Sequence, residues 1–180
     1  MKKISIKNKI WFIVGLLICL LIRLIPTRTP NIEPILATQM PFAKKYGNLY
    51  GFFFGALSII FYDLATGTIG LWTVITATTY GIVGVFAATF FKNRLGSRKN
   101  FIIFAIFGTI FYDTLTGLTI GPLLFHQPFI VAVIGQIPFT VLHLVGNIAF
   151  AIVLSPIINY LLIRKKTKQP IINLAPKYIS

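Results

Sequence analysis

From Phe129 to Ile163 the chain carries no Asp, Glu, Lys or Arg. An uncharged run of that length exceeds the roughly 20 apolar residues that one helix needs to cross a bilayer. Further apolar runs occupy 10–25, 48–65, 69–91 and 100–116. Inside hydrocarbon every backbone N–H and C=O must be satisfied within the protein, which leaves helices or a closed barrel. Barrel strands would alternate over about ten residues, whereas these runs are continuously apolar. With 56% hydrophobic and 11% charged residues, the chain reads as an all-α membrane protein. A length of 180 residues leaves no room for a soluble catalytic or nucleotide-binding domain beside such spans.

The breaks between runs divide it further. The first span covers 10–25 and stops at Pro26. A short second helix opens at Asn31-Ile32-Glu33-Pro34, where Asn31 can cap and Glu33 complements the positive helix end. It ends near Lys44-Lys45-Tyr46-Gly47, and Pro41 inside it predicts a kinked or incomplete span. Spans three and five, 48–65 and 100–116, stop at Thr66-Gly67 and at Gly117. Span four covers 69–91, and 118–128 is an uncharged loop. Splitting the last run at Pro138 gives a short outer-surface piece (129–136) and a long tilted span (138–163). The expected organisation is a basic N-terminus (1–9), one six-helix membrane domain (10–164) and a basic tail (165–180). The basic start and apolar stretch of 1–22 lead into Arg23 without a small-residue cleavage site, so they read as a retained anchor.

Charge orients the bundle. If the N-terminus is cytoplasmic and six spans alternate, 15 of the 17 Lys and Arg fall inside, and only Arg23 and Arg28 outside. That bias predicts a six-transmembrane-helix bundle in the cell membrane with both termini cytoplasmic. It also removes the nucleic-acid reading that a net charge of +14 invites.

The three acidic residues, Glu33, Asp63 and Asp113, all fall on the outer side. Asp63 and Asp113 lie near helix C-termini, the unfavourable dipole end for a carboxylate, so helix stability does not explain them. Ionisable groups there are expected to contact a ligand or to pair with Arg23 or Arg28. Two polar stripes accompany them. Gln136, Thr140, His143 and Asn147 share one face of the last span, and Trp72, Thr76 and Tyr80 share one face of span four. Such stripes line a cavity or hydrogen-bond between helices. His143 has no second His or Cys at ligand spacing and Cys19 stands alone, so neither a metal site nor a disulfide is expected. No nucleophile–base pair or phosphate loop appears, so neither an enzyme nor a cofactor is expected, and ATP hydrolysis must come from a partner.

Residues 54–67 and 104–117 share seven identities in fourteen, ending in Phe-Tyr-Asp-x-x-Thr-Gly. Both copies run the same way through the membrane, as in a parallel transporter repeat. Gly51 and Gly55 form a Gly-x-x-x-Gly pair, and Gly81 and Gly84 a second small face, suited to packing inside the bundle or to docking a membrane partner.

Asn31-Ile32-Glu33-Pro34-Ile35, Gly51–Gly55 with Ser58, Tyr62-Asp63, Gly67, Gly81 and Gly84 resemble the substrate-binding S components of energy-coupling factor (ECF) transporters, over roughly 10–165. The resemblance implies a six-helix bundle that captures a vitamin or related micronutrient from outside. It also implies docking to a transmembrane coupling subunit driven by two ATPases. The ligand-binding candidates are Glu33, Asp63, Asp113, Trp72, Thr76, Tyr80, His143 and Asn147. Span one lacks the Ala-x-x-x-Ala docking pair of many S components, which removes the common coupling module or moves docking elsewhere, with Gly51 and Gly55 the candidates. A second resemblance, through Tyr62-Asp63-x-x-x-Gly67-x-x-Gly70 with Tyr80-Gly81 and Gly84, is to the rod-shape-determining membrane scaffold of the cell-wall elongation machinery.

Overall fold

A computed structural model describes residues 6–26 and 32–163. Six α-helices follow in order: α1 (Ile6–Arg23), α2 (Ile35–Tyr46), α3 (Asn48–Thr66), α4 (Leu71–Phe91), α5 (Arg98–Thr119) and α6 (Phe129–Ile163). A π-helical turn, Ile120–Leu124, extends α5. No strand occurs among the described residues. The segments α3, α4, α5 with its π turn, and α6 are each long and apolar enough to cross a membrane. Their outward faces carry side chains such as Val74, Ile103, Ile134, Val141 and Val145, as a lipid boundary requires.

The shortest of the six helices is the hub. Helix α2 has 12 residues, about 18 Å at 1.5 Å per residue, well short of a ~30 Å hydrocarbon core. Its residues from Ile35 to Ala43 are all buried, which is the signature of a helix enclosed on every side. Helices α1, α3, α4, α5 and α6 all pack on it.

That central position raises two hydrogen-bond problems, one met by a neighbouring side chain and the other by neighbouring backbone carbonyls. Pro41 lacks the N–H that would bond the Ala37 carbonyl one turn back. Ser155 of α6 donates to that carbonyl instead, at 2.7 Å, so the proline is accommodated inside a continuous helix. Gln39 Nε2 reaches out of α2 and donates to the carbonyls of Gly51 (2.9 Å) and Tyr80 (2.8 Å). This works only because α3 and α4 lie very close. A Cβ on Gly84 would stand 2.0 Å from the Gly51 oxygen, and one on Gly55 2.5 Å from the Tyr80 oxygen. The Gly51–Gly55 pair therefore faces inward against α2 and α4, and an internal packing face is what it forms.

Several boundaries differ from those read in the sequence. Helix α2 begins at Ile35 behind Pro34, and Asn31 and Arg28 lie outside the described residues. Gly67 ends α3 as expected, with φ 69° and a Thr68 N–H to Asp63 carbonyl bond of 2.8 Å, a Schellman-type stop. Gly117 does not end α5. It lies inside the helix, which runs on to Thr119, and a Cβ there would meet the Gln136 side chain of α6, so its missing side chain serves close approach. The last run is not split at Pro138. Helix α6 is one 35-residue helix with Pro138 and Pro156 inside it, near 52 Å long at 1.5 Å per residue.

The two ends of the bundle differ in charge. Lys44 donates to the Phe91 and Arg94 carbonyls and Lys45 to the Leu162 carbonyl, so the C-terminal ends of α2, α4 and α6 gather at one basic end. Cations there complement the negative helix ends. Glu33, Asp63 and Asp113 lie towards the opposite end.

Replacing Ser155 by Ala should orphan the Ala37 carbonyl and cost about 1–3 kcal/mol, the penalty of an unsatisfied buried acceptor. In a Pro41→Ala background the backbone supplies that donor, and the same change should cost under about 1 kcal/mol. Thermal unfolding of the four proteins in detergent checks this as a double-mutant cycle.

Candidate functional site

Arg23 closes α1 and is buried. One guanidinium nitrogen donates to the Ser58 carbonyl at 2.8 Å and the other to Glu33 Oε1 at 3.1 Å. The guanidinium also lies 3.9 Å from the centre of the Tyr62 ring. A buried cation is tolerable only with such partners. Arg23 thus pairs with Glu33 and not with either aspartate, and the entry to α2 is tied to α3.

The two Phe-Tyr-Asp copies do related work. Asp63 accepts a hydrogen bond of 2.6 Å from Thr73 Oγ, which itself accepts the Gly70 N–H at 3.1 Å. The carboxylate therefore meets the first turn of α4, whose positive dipole end offsets the negative end of its own helix. Asp113 reaches α6, where its Oδ1 lies 2.7 Å from His143 Nδ1. In each copy the aspartate ties its helix to the next one in the chain. In each copy the preceding tyrosine packs inward: Tyr62 beneath Arg23, and Tyr112 against Tyr80 with ring centres 4.0 Å apart.

One turn along from the Asp113–His143 contact, Asn147 Nδ2 donates to Thr109 Oγ at 2.8 Å. These two rungs join α5 to α6. The His143 ring stands edge-on to Tyr112 and Phe139, with ring centres 6.0 and 5.9 Å away. Exposure is 1% for Asp113, 3% for His143 and 1% for both Asn147 and Tyr80. Four polar atoms in this cluster have no hydrogen-bond partner in the chain: Tyr80 Oη, Asp113 Oδ2, His143 Nε2 and Asn147 Oδ1. Buried polar atoms are rarely left so; these four belong to α4, α5 and α6, and Arg23 Nε, Gln39 Oε1 and Tyr46 Oη are left so on α1 and α2.

The structure brings Tyr80, Asp113, His143 and Asn147 together, with Glu33 and Arg23 close enough to act electrostatically on the Tyr80 hydroxyl. Asp63 stands apart from these four, held by Thr73 at the first turn of α4. Trp72 and Thr76 stand apart on the same face of α4. Trp72 is 38% exposed, donates to the Thr68 carbonyl at 3.0 Å and stacks on Phe125, just past the π turn. Thr76 donates back to the Trp72 carbonyl at 2.9 Å. Sequence reading passed over Tyr62, Tyr112, Thr73 and Thr109 as site residues. The two tyrosines could have been found, since each precedes a repeat aspartate. The threonines carried no signal beyond their polarity. Shallow grooves on the outer face, one lined by Phe107, Ile110, Phe111, Thr114 and Leu115, are apolar and have no converging polar groups.

A polar, aromatic cluster buried among helices long and apolar enough to cross a membrane is the arrangement of a membrane-embedded protein with a polar interior. The family model described as ECF-type riboflavin transporter, S component, matches residues 7–165, and the chain belongs to that family. Its members are the substrate-binding subunits of vitamin transporters, which work with a transmembrane T component and ATPases, and the family is not one of enzymes. No curated protein matches the chain.

Arg23→Gln removes the donors to the buried Ser58 carbonyl and to Glu33 and should destabilise the protein by about 1–3 kcal/mol. Asp63→Asn should cost under about 1 kcal/mol, because the Asn oxygen still accepts from Thr73. Unfolding midpoints of both variants in the same detergent check the order.

Proposed function

We propose that this chain captures riboflavin or a closely related flavin from the extracellular side of the cell membrane and presents it to a coupling subunit powered by two ATPases. The observation that carries the reading is the cluster of four unsatisfied buried polar atoms around Tyr80, Asp113, His143 and Asn147. It lies towards the acidic end of a bundle whose other end is basic. By the positive-inside rule the basic end faces the cytoplasm. That orientation puts both termini inside and turns the cluster outward. The absence of a nucleotide-binding loop from the sequence is why the driving force has to come from partners.

Within this reading, Tyr80, His143, Asp113 and Asn147 contact the substrate. Glu33, held by Arg23, and Asp63, held by Thr73, fix the helix ends around it. Trp72 and Thr76 form the outer rim. With Gly51 and Gly55 occupied by internal packing, the coupling subunit docks on another, lipid-facing surface of the bundle.

Protein purified in detergent from cells grown with riboflavin should yield flavin on extraction, read by absorbance and mass spectrometry. The stripped protein should quench flavin fluorescence saturably on titration. Flavin-free protein that also fails to quench added flavin, while still melting cooperatively, would retire the flavin reading.

A further inference from the structure

The rungs between α5 and α6 have a definite hydrogen-bond polarity. With Asp113 as a carboxylate, which only accepts, and His143 as a neutral ring, Nδ1 carries the hydrogen shared with Asp113 Oδ1 and Nε2 is an acceptor. Asp113 Oδ2 is a second open acceptor. Asn147 spends its amide nitrogen on Thr109, so the open Oδ1 is a third. Tyr80 Oη can donate or accept. One helical turn, ~5.4 Å, separates the rungs. The open valences therefore form a short ladder of acceptors with one hydroxyl beside it.

Such a ladder cannot be satisfied by more acceptors. The flavin ring system offers mostly carbonyl oxygens and ring nitrogens, with a single imide N–H. Its ribityl chain offers a row of hydroxyls, each a donor, spaced along a flexible chain. We infer that the Asp113–His143 and Thr109–Asn147 rungs are the hydroxyl-reading wall of the site, which selects a substrate for its polyol chain rather than for its ring. The inference rests on the flavin reading above and deepens it. Asp113 is a positioning residue here as well as a contact, because it sets the tautomer that makes His143 Nε2 an acceptor.

The test compares riboflavin with lumiflavin, which has the same ring with a methyl group in place of the ribityl chain. Full-length protein in detergent is titrated with each, following flavin fluorescence. Two variants are used. His143→Asn keeps a donor towards Asp113 and removes Nε2, and Tyr80→Phe removes one hydroxyl and keeps the ring. Wild-type protein should bind riboflavin at least tenfold more tightly than lumiflavin. Each variant should lose about three- to tenfold in riboflavin affinity, the worth of one hydrogen bond, with lumiflavin affinity unchanged within about twofold. Unchanged lumiflavin binding also shows that the variants are folded. Equal wild-type affinity for the two flavins, or equal loss of both in the two variants, overturns the polyol wall and leaves flavin capture standing. Wild-type protein that binds neither flavin overturns flavin capture itself, and the wall with it.

Discussion

The bundle depends on the Gln39 side chain. It leaves a helix buried on all sides and bonds two backbone carbonyls, on α3 and α4, that glycines have brought within reach. In a medium without water an unsatisfied amide is costly, so this one contact sets the spacing of three helices at once. Ser155 performs the matching service for α6 through the carbonyl that Pro41 leaves free. A 12-residue helix can sit at the centre because the surrounding helices complete its hydrogen bonding.

With α2 fixed, the polar groups sort along the axis. At the basic end, lysines meet helix C-termini and carbonyl oxygens. At the other, Arg23 and Glu33 lock the entry of α2 while the two aspartates bind forward to the next helix. The cluster of Tyr80, Asp113, His143 and Asn147 gathers four of the buried polar atoms without a partner in the chain, whereas Arg23 Nε, Gln39 Oε1 and Tyr46 Oη are left so singly on α1 and α2. That contrast separates the binding centre from the scaffold.

The internal repeat shows how one sequence motif is put to two uses. Both Phe-Tyr-Asp segments place tyrosine inward and aspartate against the following helix. Asp63 finds a threonine and the N-terminal turn of α4, and Asp113 finds a histidine in the interior. Gly67 stops its helix through a left-handed conformation. Gly117, in the same place in the motif, lets α5 continue and lets Gln136 cross it.

The sequence by itself determined the helical membrane class, the five apolar runs, the division into a basic and an acidic end, and the resemblance to S components. These follow from one-dimensional properties: run length, charge placement and the 3.6-residue period that put His143 and Asn147 on one face. It could not assign partners. Arg23 could have met an aspartate and met Glu33. Gly51 and Gly55 could have faced another subunit and face α2 and α4. The glycine of the repeat could have stopped both helices and stops one. In each case the residue supplies only a capability (a charge, a small surface, a free φ), and which neighbour uses it depends on how helices far apart in the chain pack, which no local pattern encodes.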